Sequence, residues 1–180
     1  DGFHAVDFRD PKIWQEGGQY YCVAACRHET EQGSILLFES PDGHTWHYLT
    51  VLDASHDALG KMWECPDFFA LDGAQVLLVS PQEMRATADG EFHAGEGTVA
   101  ILGRYDPATH AFARQRVQAV DYGLDFYAPQ TTLAPDGRRI MVAWMQSWAT
   151  VPGTPCAGGK PWFGRMTLPR ELTIKDGRLY

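Results

Sequence analysis

Charged or aromatic residues lie one or two positions before proline at three places in the chain. The segments are Arg9-Asp10-Pro11, Glu64-Cys65-Pro66 and Tyr127-Ala128-Pro129. Paired carboxylates on the two sides of a glycosidic bond are the usual apparatus of glycoside hydrolysis, one serving as acid/base and the other as nucleophile. Aromatic side chains, which make up 12% of the residues, suit stacking on a sugar. If these segments meet in one pocket, they could act on a carbohydrate.

The same segments belong to a longer repeat. Four times, an X-Pro step is followed by an apolar strand, a turn at glycine and a returning strand. The repeats run from Pro11 to Gly18, Pro66 to Gly73, Pro129 to Gly137 and, after Leu168, Pro169 to Gly177, so proline and glycine are always seven or eight residues apart. Proline is tolerated at the first residue of a strand and favours an extended residue before it. We therefore predict four innermost hairpins that begin in the same way.

The rest of the pattern predicts an all-β protein. Apolar runs of four to six residues alternate with turn pairs such as Asp42-Gly43, Asp72-Gly73 and Asp136-Gly137. The repeated prolines are 55, 63 and 40 residues apart, which is the length of a four-stranded antiparallel blade with its loops. This spacing favours a β-propeller, in which the first strands of successive blades line one central channel. A β-sandwich is the alternative.

Composition excludes several other classes of function. The net charge is −8 with no basic run, so a nucleic-acid partner is not expected. Apolar stretches such as Gln75–Ser80 are far shorter than the roughly 20 residues that span a bilayer as a helix. The four cysteines show no CxxC or His-Cys cluster, and we expect free thiols. No metal or other cofactor is predicted.

Four ordered segments resemble the signatures of the family 32 glycoside hydrolases. They are Phe8–Trp14 (FRDPKIW), Trp63–Phe69 (WECPDFF), Asp121–Thr131 (DYGLDFYAPQT) and Met166–Leu172 (MTLPREL). They match the RDP, ECPD, DFYAPQ and TLPREL motifs in the family's order and cover nearly the whole chain. The resemblance implies a five-bladed β-propeller followed by a β-sandwich, and cleavage of terminal β-fructofuranosyl bonds with retention.

The resemblance also implies roles for individual residues. Glu64 corresponds to the general acid/base, which protonates the leaving oxygen and then activates the hydrolytic water. Asp10 corresponds to the transition-state stabiliser, with Arg9 beside it holding its charge and position. Cys65, Tyr127 and Trp144 match positions that line the fructose subsite, and Tyr127 could also interact with the catalytic carboxylates.

The family's nucleophile lies in a W-x-N-D-P-N-G stretch that does not occur here. By the family pattern we expect residues 1–180 to be the central part of the propeller: about three blades and the first hairpin of the next, without the first blade, the rest of the last blade and the sandwich. The isolated chain is then expected to be inactive. Its exposed blade edges are expected to favour self-association.

Several functions remain open for the intact protein. The first is hydrolysis of sucrose or sucrose 6-phosphate. Fructan hydrolysis, as in levanases and inulinases, and fructosyl transfer use the same carboxylates. A non-catalytic sugar-binding propeller is the alternative from another class, although Glu64 would have no purpose in it. Similarity to bacterial intracellular members, together with free thiols, favours a cytoplasmic location.

Overall fold

A computed structural model describes residues 2–56, 59–148 and 164–180. The described residues form thirteen β-strands arranged in antiparallel sheets, which confirms the prediction of an all-β protein. Cys156 lies outside the described residues, and Cys22, Cys26 and Cys65 are free thiols.

Two four-stranded antiparallel sheets make up the first two thirds of the chain, each with its strands in sequence order. The first contains β1 (Phe3–Glu16), β2 (Gln19–His28), β3 (Gln32–Ser40) and β4 (His47–Ala54). The second contains β5 (Met62–Leu71), β6 (Ala74–Gln82), β7 (Val99–Asp106) and β8 (Ala111–Ala119). The turns after β1 and β5 are two-residue turns in which both residues have positive φ, the hairpin geometry that the Gly-Gly and Asp-Gly pairs predict.

A third sheet has the order β11-β10-β9 and consists of β9 (Tyr127–Leu133), β10 (Arg139–Trp144) and β11 (Arg170–Leu172). A short hairpin follows, formed by β12 (Ile174–Lys175) and β13 (Arg178–Leu179). The hairpin is fixed to the second sheet, because the Gln118 side chain on β8 exchanges two 3.0 Å hydrogen bonds with the backbone of Leu179.

The prediction for the fourth repeat is wrong in one respect. The strand after Pro169 pairs with β10, with Arg170 opposite Met141, so it completes the third sheet and does not begin a following blade. The strand stops at Thr173, whose backbone N–H and C=O both bond to Tyr180. The turn at Gly177 is confirmed, but it joins strands of two residues each.

The second sheet is buried on both faces, which explains why its strands read as continuous apolar runs. Leu77, Val79 and Ile101 face the first sheet in one core cluster, while Val76 and Leu78 face the third sheet in another. The sheets therefore stack face to face in chain order, as the blades of a propeller do.

Glycine is required where the first two sheets come closest. A Cβ at Gly33 on β3 would lie 2.7 Å from the backbone nitrogen of Trp63. Trp63 itself is fully buried and donates from its indole nitrogen to the Leu59 carbonyl at 2.8 Å. This contact fixes the start of β5, the strand that carries Glu64, against the first sheet.

Candidate active site

The same backbone irregularity occurs at the first three of the four repeated X-Pro steps. In β1, Asp10 and Pro11 lie between the paired residues Arg9 and Lys12 and face a single residue of β2. The equivalent two-against-one arrangement follows Glu64 in β5 and Tyr127 in β9. Such a β-bulge re-aims the neighbouring side chains and bends the strand. The repeat in the sequence therefore reflects a repeated bulge in β1, β5 and β9, which we call the inner strands.

The residues before these prolines do not have the predicted extended conformation. Asp10, Cys65 and Ala128 have left-handed φ values of 59°, 49° and 52°. This region costs a residue with a side chain about 1–2 kcal/mol, but it is the conformation that the first residue of one common type of bulge adopts. Leu168, before the fourth proline, has no positive φ, in agreement with its different pairing.

The bulges bring the inner strands into contact with one another. The backbone N–H of Cys65 donates to Asp10 Oδ2 at 3.0 Å, and Gln130 Nε2 donates to the Cys65 carbonyl at 3.2 Å. The Ala128 N–H donates to Ser80 Oγ at 3.1 Å. Residues at equivalent positions of the repeat therefore converge, as the propeller interpretation predicts.

Glu64 is the centre of this arrangement. Glu64 is 8% exposed, and its carboxylate accepts three hydrogen bonds from three different strands. Arg9 Nε donates to Oε1 at 2.8 Å, while Gln82 Nε2 and the Tyr127 hydroxyl donate to Oε2 at 2.9 and 2.6 Å. A buried carboxylate is costly unless it is paired and hydrogen-bonded, so these partners are what allow a carboxylate at this position.

Tyr127 contacts the Glu64 carboxylate, the interaction that the sequence analysis considered for it. It is 1% exposed, and burial, followed by its hydrogen bond to Glu64, raises the pKa of its hydroxyl well above the usual range. Tyr127 therefore keeps its proton and serves as a hydrogen-bond donor. Its strand neighbour Trp144 pairs with it across β9 and β10 and packs edge to face against Trp148 at a ring distance of 5.6 Å.

Asp10 lies beside the peptide that follows Glu64. Its Oδ2 accepts from the Cys65 N–H, and Cys65 Sγ lies 3.6 Å from the same oxygen. Burial, followed by the charges of Asp10 and Glu64, raises the pKa of the Cys65 thiol to about 12. This environment favours the neutral thiol of Cys65 over the thiolate.

The implied partnership between Arg9 and Asp10 is wrong. The ion pairs of Arg9 are with Glu64 at 2.8 Å and with Asp7 at 2.9 Å. Asp7 in turn pairs with Arg27 on β2, and the hydrogen bond from Arg9 helps to lower the pKa of Asp7. Arg9 is thus held between Asp7 and Glu64 and is directed at Glu64 and not at Asp10.

A second polar layer lies one step further along the inner strands. Lys12 Nζ donates to Asp67 Oδ2 at 3.2 Å, to Gln130 Oε1 at 2.9 Å and to the Thr131 carbonyl at 2.9 Å. Lys12, Asp67 and Gln130 each follow a repeated proline directly, so the repeat could have identified them. Gln82 and Ser80 lie on the second strand, where the repeat gives no signal.

A cavity of about 650 Å³ lies beyond this layer, toward the hairpin turns, and Trp14, Phe69 and Arg139 are among its lining residues. Glu64 and Asp10 do not line it. Within the described ranges, no group of three or more potential metal ligands occurs. The described part of the chain also contains no helix with the length and apolar character needed to cross a membrane.

Comparison with known proteins identifies relatives over almost the whole chain. The chain is 40% identical over 175 residues to a sucrose-6-phosphate hydrolase of Vibrio alginolyticus, which covers 96% of this chain and 35% of the relative. It is 39% identical over 176 residues to a raffinose invertase of Escherichia coli, with coverage of 97% and 36%. The chain thus spans about a third of the length of these relatives.

Solved structures agree with the sequence comparison. A family 32 β-fructofuranosidase of Bombyx mori superposes with a TM-score of 0.87 at 37% identity, covering 97% of this chain and 36% of that structure. A variant of that enzyme in complex with sucrose also has a TM-score of 0.87 at 37% identity, with coverage of 96% and 36%. A sucrose-6-phosphate hydrolase of Lactobacillus gasseri gives 0.84 at 28% identity, covering all of this chain and 37% of that structure.

The predicted propeller class is therefore confirmed, with the described residues forming part of the propeller. The model of the glycosyl hydrolases family 32 N-terminal domain matches residues 2–180. The chain belongs to family 32 of the glycosyl hydrolases.

Proposed function

We propose that residues 1–180 are the central part of the catalytic propeller of a β-fructofuranosidase that hydrolyses the terminal β-D-fructofuranosyl bond of sucrose or sucrose 6-phosphate with retention. The observation that carries this proposal is the environment of Glu64. A buried carboxylate with an arginine, an amide and a phenol on its two oxygens suits a group that must be held in one orientation through a reaction cycle.

In the proposed mechanism, Glu64 protonates the leaving oxygen and then removes a proton from the water that releases fructose. Asp10 stabilises the fructosyl ring as it gains oxocarbenium character. Its closeness to Glu64 through the Cys65 peptide supports action on the same sugar. Arg9, Cys65, Tyr127 and Trp144 line the fructose subsite.

A retaining mechanism also needs a carboxylate nucleophile about 5–5.5 Å from the acid/base. By the family pattern this residue comes from the W-x-N-D-P-N-G stretch, which residues 1–180 do not contain. We therefore expect the 180-residue chain by itself not to hydrolyse sucrose. The function belongs to a chain of the relatives' length that includes this segment.

The proposed substrate class rests on the relatives, and the proposed location rests on the thiols. The sucrose-6-phosphate hydrolases and the invertase named above support a sucrose-type substrate. The three described cysteines are free, which supports a cytoplasmic location.

The test is a comparison of kcat/KM for sucrose, sucrose 6-phosphate, inulin and levan, with a chain of the relatives' length that contains residues 1–180. The expected result is the highest kcat/KM on one of the two sucrose substrates, with β-fructofuranose as the first product. Faster turnover of long fructans, or products that are mainly fructosylated sugars, would contradict the substrate assignment.

The acid/base role is tested in the same protein by Glu64→Gln. Loss of a general acid/base lowers kcat by about 10²–10⁴-fold. Glu83→Gln is the matched control, since the Glu83 side chain is 56% exposed and pairs only with Lys61 among the described ion pairs. Equal activity of the two variants would contradict the role of Glu64.

A further inference from the structure

An acid/base must exist both as a carboxylate and as a carboxylic acid, but the partners of Glu64 are arranged for the carboxylate. Arg9 Nε can only donate, and Gln82 presents its amide nitrogen. A protonated Glu64 oxygen that points at such donors would have no acceptor for its own hydrogen. This requirement rests on the proposed function, since it applies only if Glu64 takes up and releases a proton.

Arg9 has no acceptor, and the Gln82 amide would have to turn over to present its oxygen. Tyr127 differs because a hydroxyl can reverse its role by rotating one C–O bond. Its oxygen lies 2.6 Å from Glu64 Oε2 and 3.1 Å from the carbonyl oxygen of Ser80. Both partners are hydrogen-bond acceptors here, and the hydroxyl has one proton. It can therefore donate fully to only one of them at a time.

The second acceptor is fixed in place. Ser80 is fully buried and pairs directly with Glu64 across β5 and β6. Its hydroxyl accepts from the Ala128 N–H at 3.1 Å, which ties the same residue to the bulge beside Tyr127. The carbonyl is thus held at hydrogen-bond distance whatever the charge of Glu64.

We propose that Tyr127 and the Ser80 carbonyl form a hydrogen-bond switch that accommodates both protonation states of Glu64. With Glu64 ionised, the Tyr127 hydroxyl donates to Oε2. With Glu64 protonated on Oε2, the acid donates to the Tyr127 oxygen and the Tyr127 hydrogen turns to the Ser80 carbonyl. When Glu64 gives its proton to a leaving oxygen, the Tyr127 hydrogen returns to Oε2, so Tyr127 never loses its own proton. Tyr127 is in this sense a positioning residue.

The switch can be tested without any enzymatic turnover, by a ¹³C NMR titration of this chain. The carboxyl carbon of Glu64 and the carbonyl carbon of Ser80 are followed together as the pH is lowered. We expect the Ser80 carbonyl signal to shift in step with Glu64, at the same midpoint. In Tyr127→Phe the Ser80 step is expected to vanish while the Glu64 carboxyl still titrates.

Glu64→Gln gives a second route to the same answer, because it should leave the Ser80 signal independent of pH even if Tyr127→Phe does not fold. Tyr105→Phe is the matched control, since that hydroxyl bonds to His110 at 2.7 Å away from the site, and it should leave both titrations unchanged. A Ser80 signal that stays constant while Glu64 titrates would overturn the switch, as would a Ser80 step that persists in either site variant or a Glu64 that takes up no proton. Failure of Glu64→Gln to reduce turnover would instead overturn the proposed function.

Discussion

Glu64 and Asp67 are two buried carboxylates three residues apart on the same strand, on either side of the β5 bulge. Each pairs with a cation of β1, Glu64 with Arg9 at 2.8 Å and Asp67 with Lys12 at 3.2 Å. Each also accepts from β9, through Tyr127 or through Thr131. Glu64, before the bulge, and Asp67, after it, thus have the same kinds of partners: a cation from β1 and a donor from β9.

The two sites differ in what their donors can do. Asp67 is 1% exposed, and one oxygen takes Lys12, the Thr131 N–H at 2.7 Å and the Thr131 hydroxyl at 2.8 Å. The Thr131 oxygen itself accepts from Arg139 at 3.4 Å, so that hydroxyl is directed toward Asp67. Glu64 is 8% exposed and accepts hydrogen bonds on both carboxylate oxygens. One of its donors, the Tyr127 hydroxyl, also has the Ser80 carbonyl as a second acceptor. We infer that Asp67 serves stability and Glu64 serves chemistry.

The largest expected effect on stability is that of Asp67→Asn. It leaves the Lys12 charge, on a side chain that is 27% exposed, without its carboxylate. Breaking a fully buried pair costs about 3–5 kcal/mol, which is the upper limit here. Urea unfolding of this chain measures the loss. Asp136→Asn is the control, since Asp136 pairs with Arg138 on the surface with both side chains more than half exposed, where an ion pair contributes little to stability. A loss for Asp67→Asn as small as that of the control would contradict the comparison.

Cys65, between the two carboxylates, is expected to make stability fall at high pH. Its pKa of about 12 in the folded chain is above the ordinary thiol value of 9.0, so the unfolded chain loses this proton first. The contribution is complete below pH 9 and is lost as the pH rises toward 12. Cys65→Ala should flatten the decline in the free energy of unfolding above pH 9. Cys22→Ala should flatten it less, since burial raises the pKa of Cys22 only to about 11.

Glu64→Gln is expected to change stability much less than Asp67→Asn, by about 1 kcal/mol in either direction. The amide keeps one acceptor oxygen, and Arg9 keeps its ion pair with Asp7, so no buried charge is left alone. The measurement is again urea unfolding. A loss equal to that of Asp67→Asn would mean that Glu64 is part of the structural framework.

The smallest expected effect is a gain. Ala128 has φ of 52°, which glycine adopts without the Cβ penalty, so Ala128→Gly should stabilise the chain by about 0.5–1 kcal/mol. Ala134→Gly is the control, since Ala134 has no positive φ and gains nothing from the added freedom. Thermal unfolding of the two variants compares them directly. A loss for Ala128→Gly would show that the bulge is not strained.

The sequence predicts the contacts of residues that keep a fixed distance from a repeated proline. Arg9, Glu64 and Tyr127 each lie two residues before such a proline, and equivalent positions of propeller blades converge. The left-handed conformation before each proline could not be predicted, since local sterics favour an extended residue there and only pairing across the sheet imposes the bulge.

Other features depend on register between strands. Gln82 and Ser80 meet Glu64 only because β5 and β6 pair with Glu64 opposite Ser80, and no local pattern fixes that alignment. The position of Arg9 also depends on register, because Asp7, which pairs with Arg9, is held by Arg27 on the neighbouring strand β2. The strand after Pro169 has the spacing of the repeat, but it pairs with β10, and this pairing between distant segments is not visible in the local sequence.

Turnover of Glu64→Gln and Asp67→Asn, compared in a chain of the relatives' length that contains residues 1–180, tests the central claim most directly. Rates are taken per folded molecule on the preferred sucrose substrate. The predicted result is a loss in kcat of about 10²–10⁴-fold for Glu64→Gln, while kcat per folded molecule of Asp67→Asn stays within about threefold of the parent. Equal losses in the two variants, or a Glu64→Gln variant as active as the parent, would contradict the division of roles.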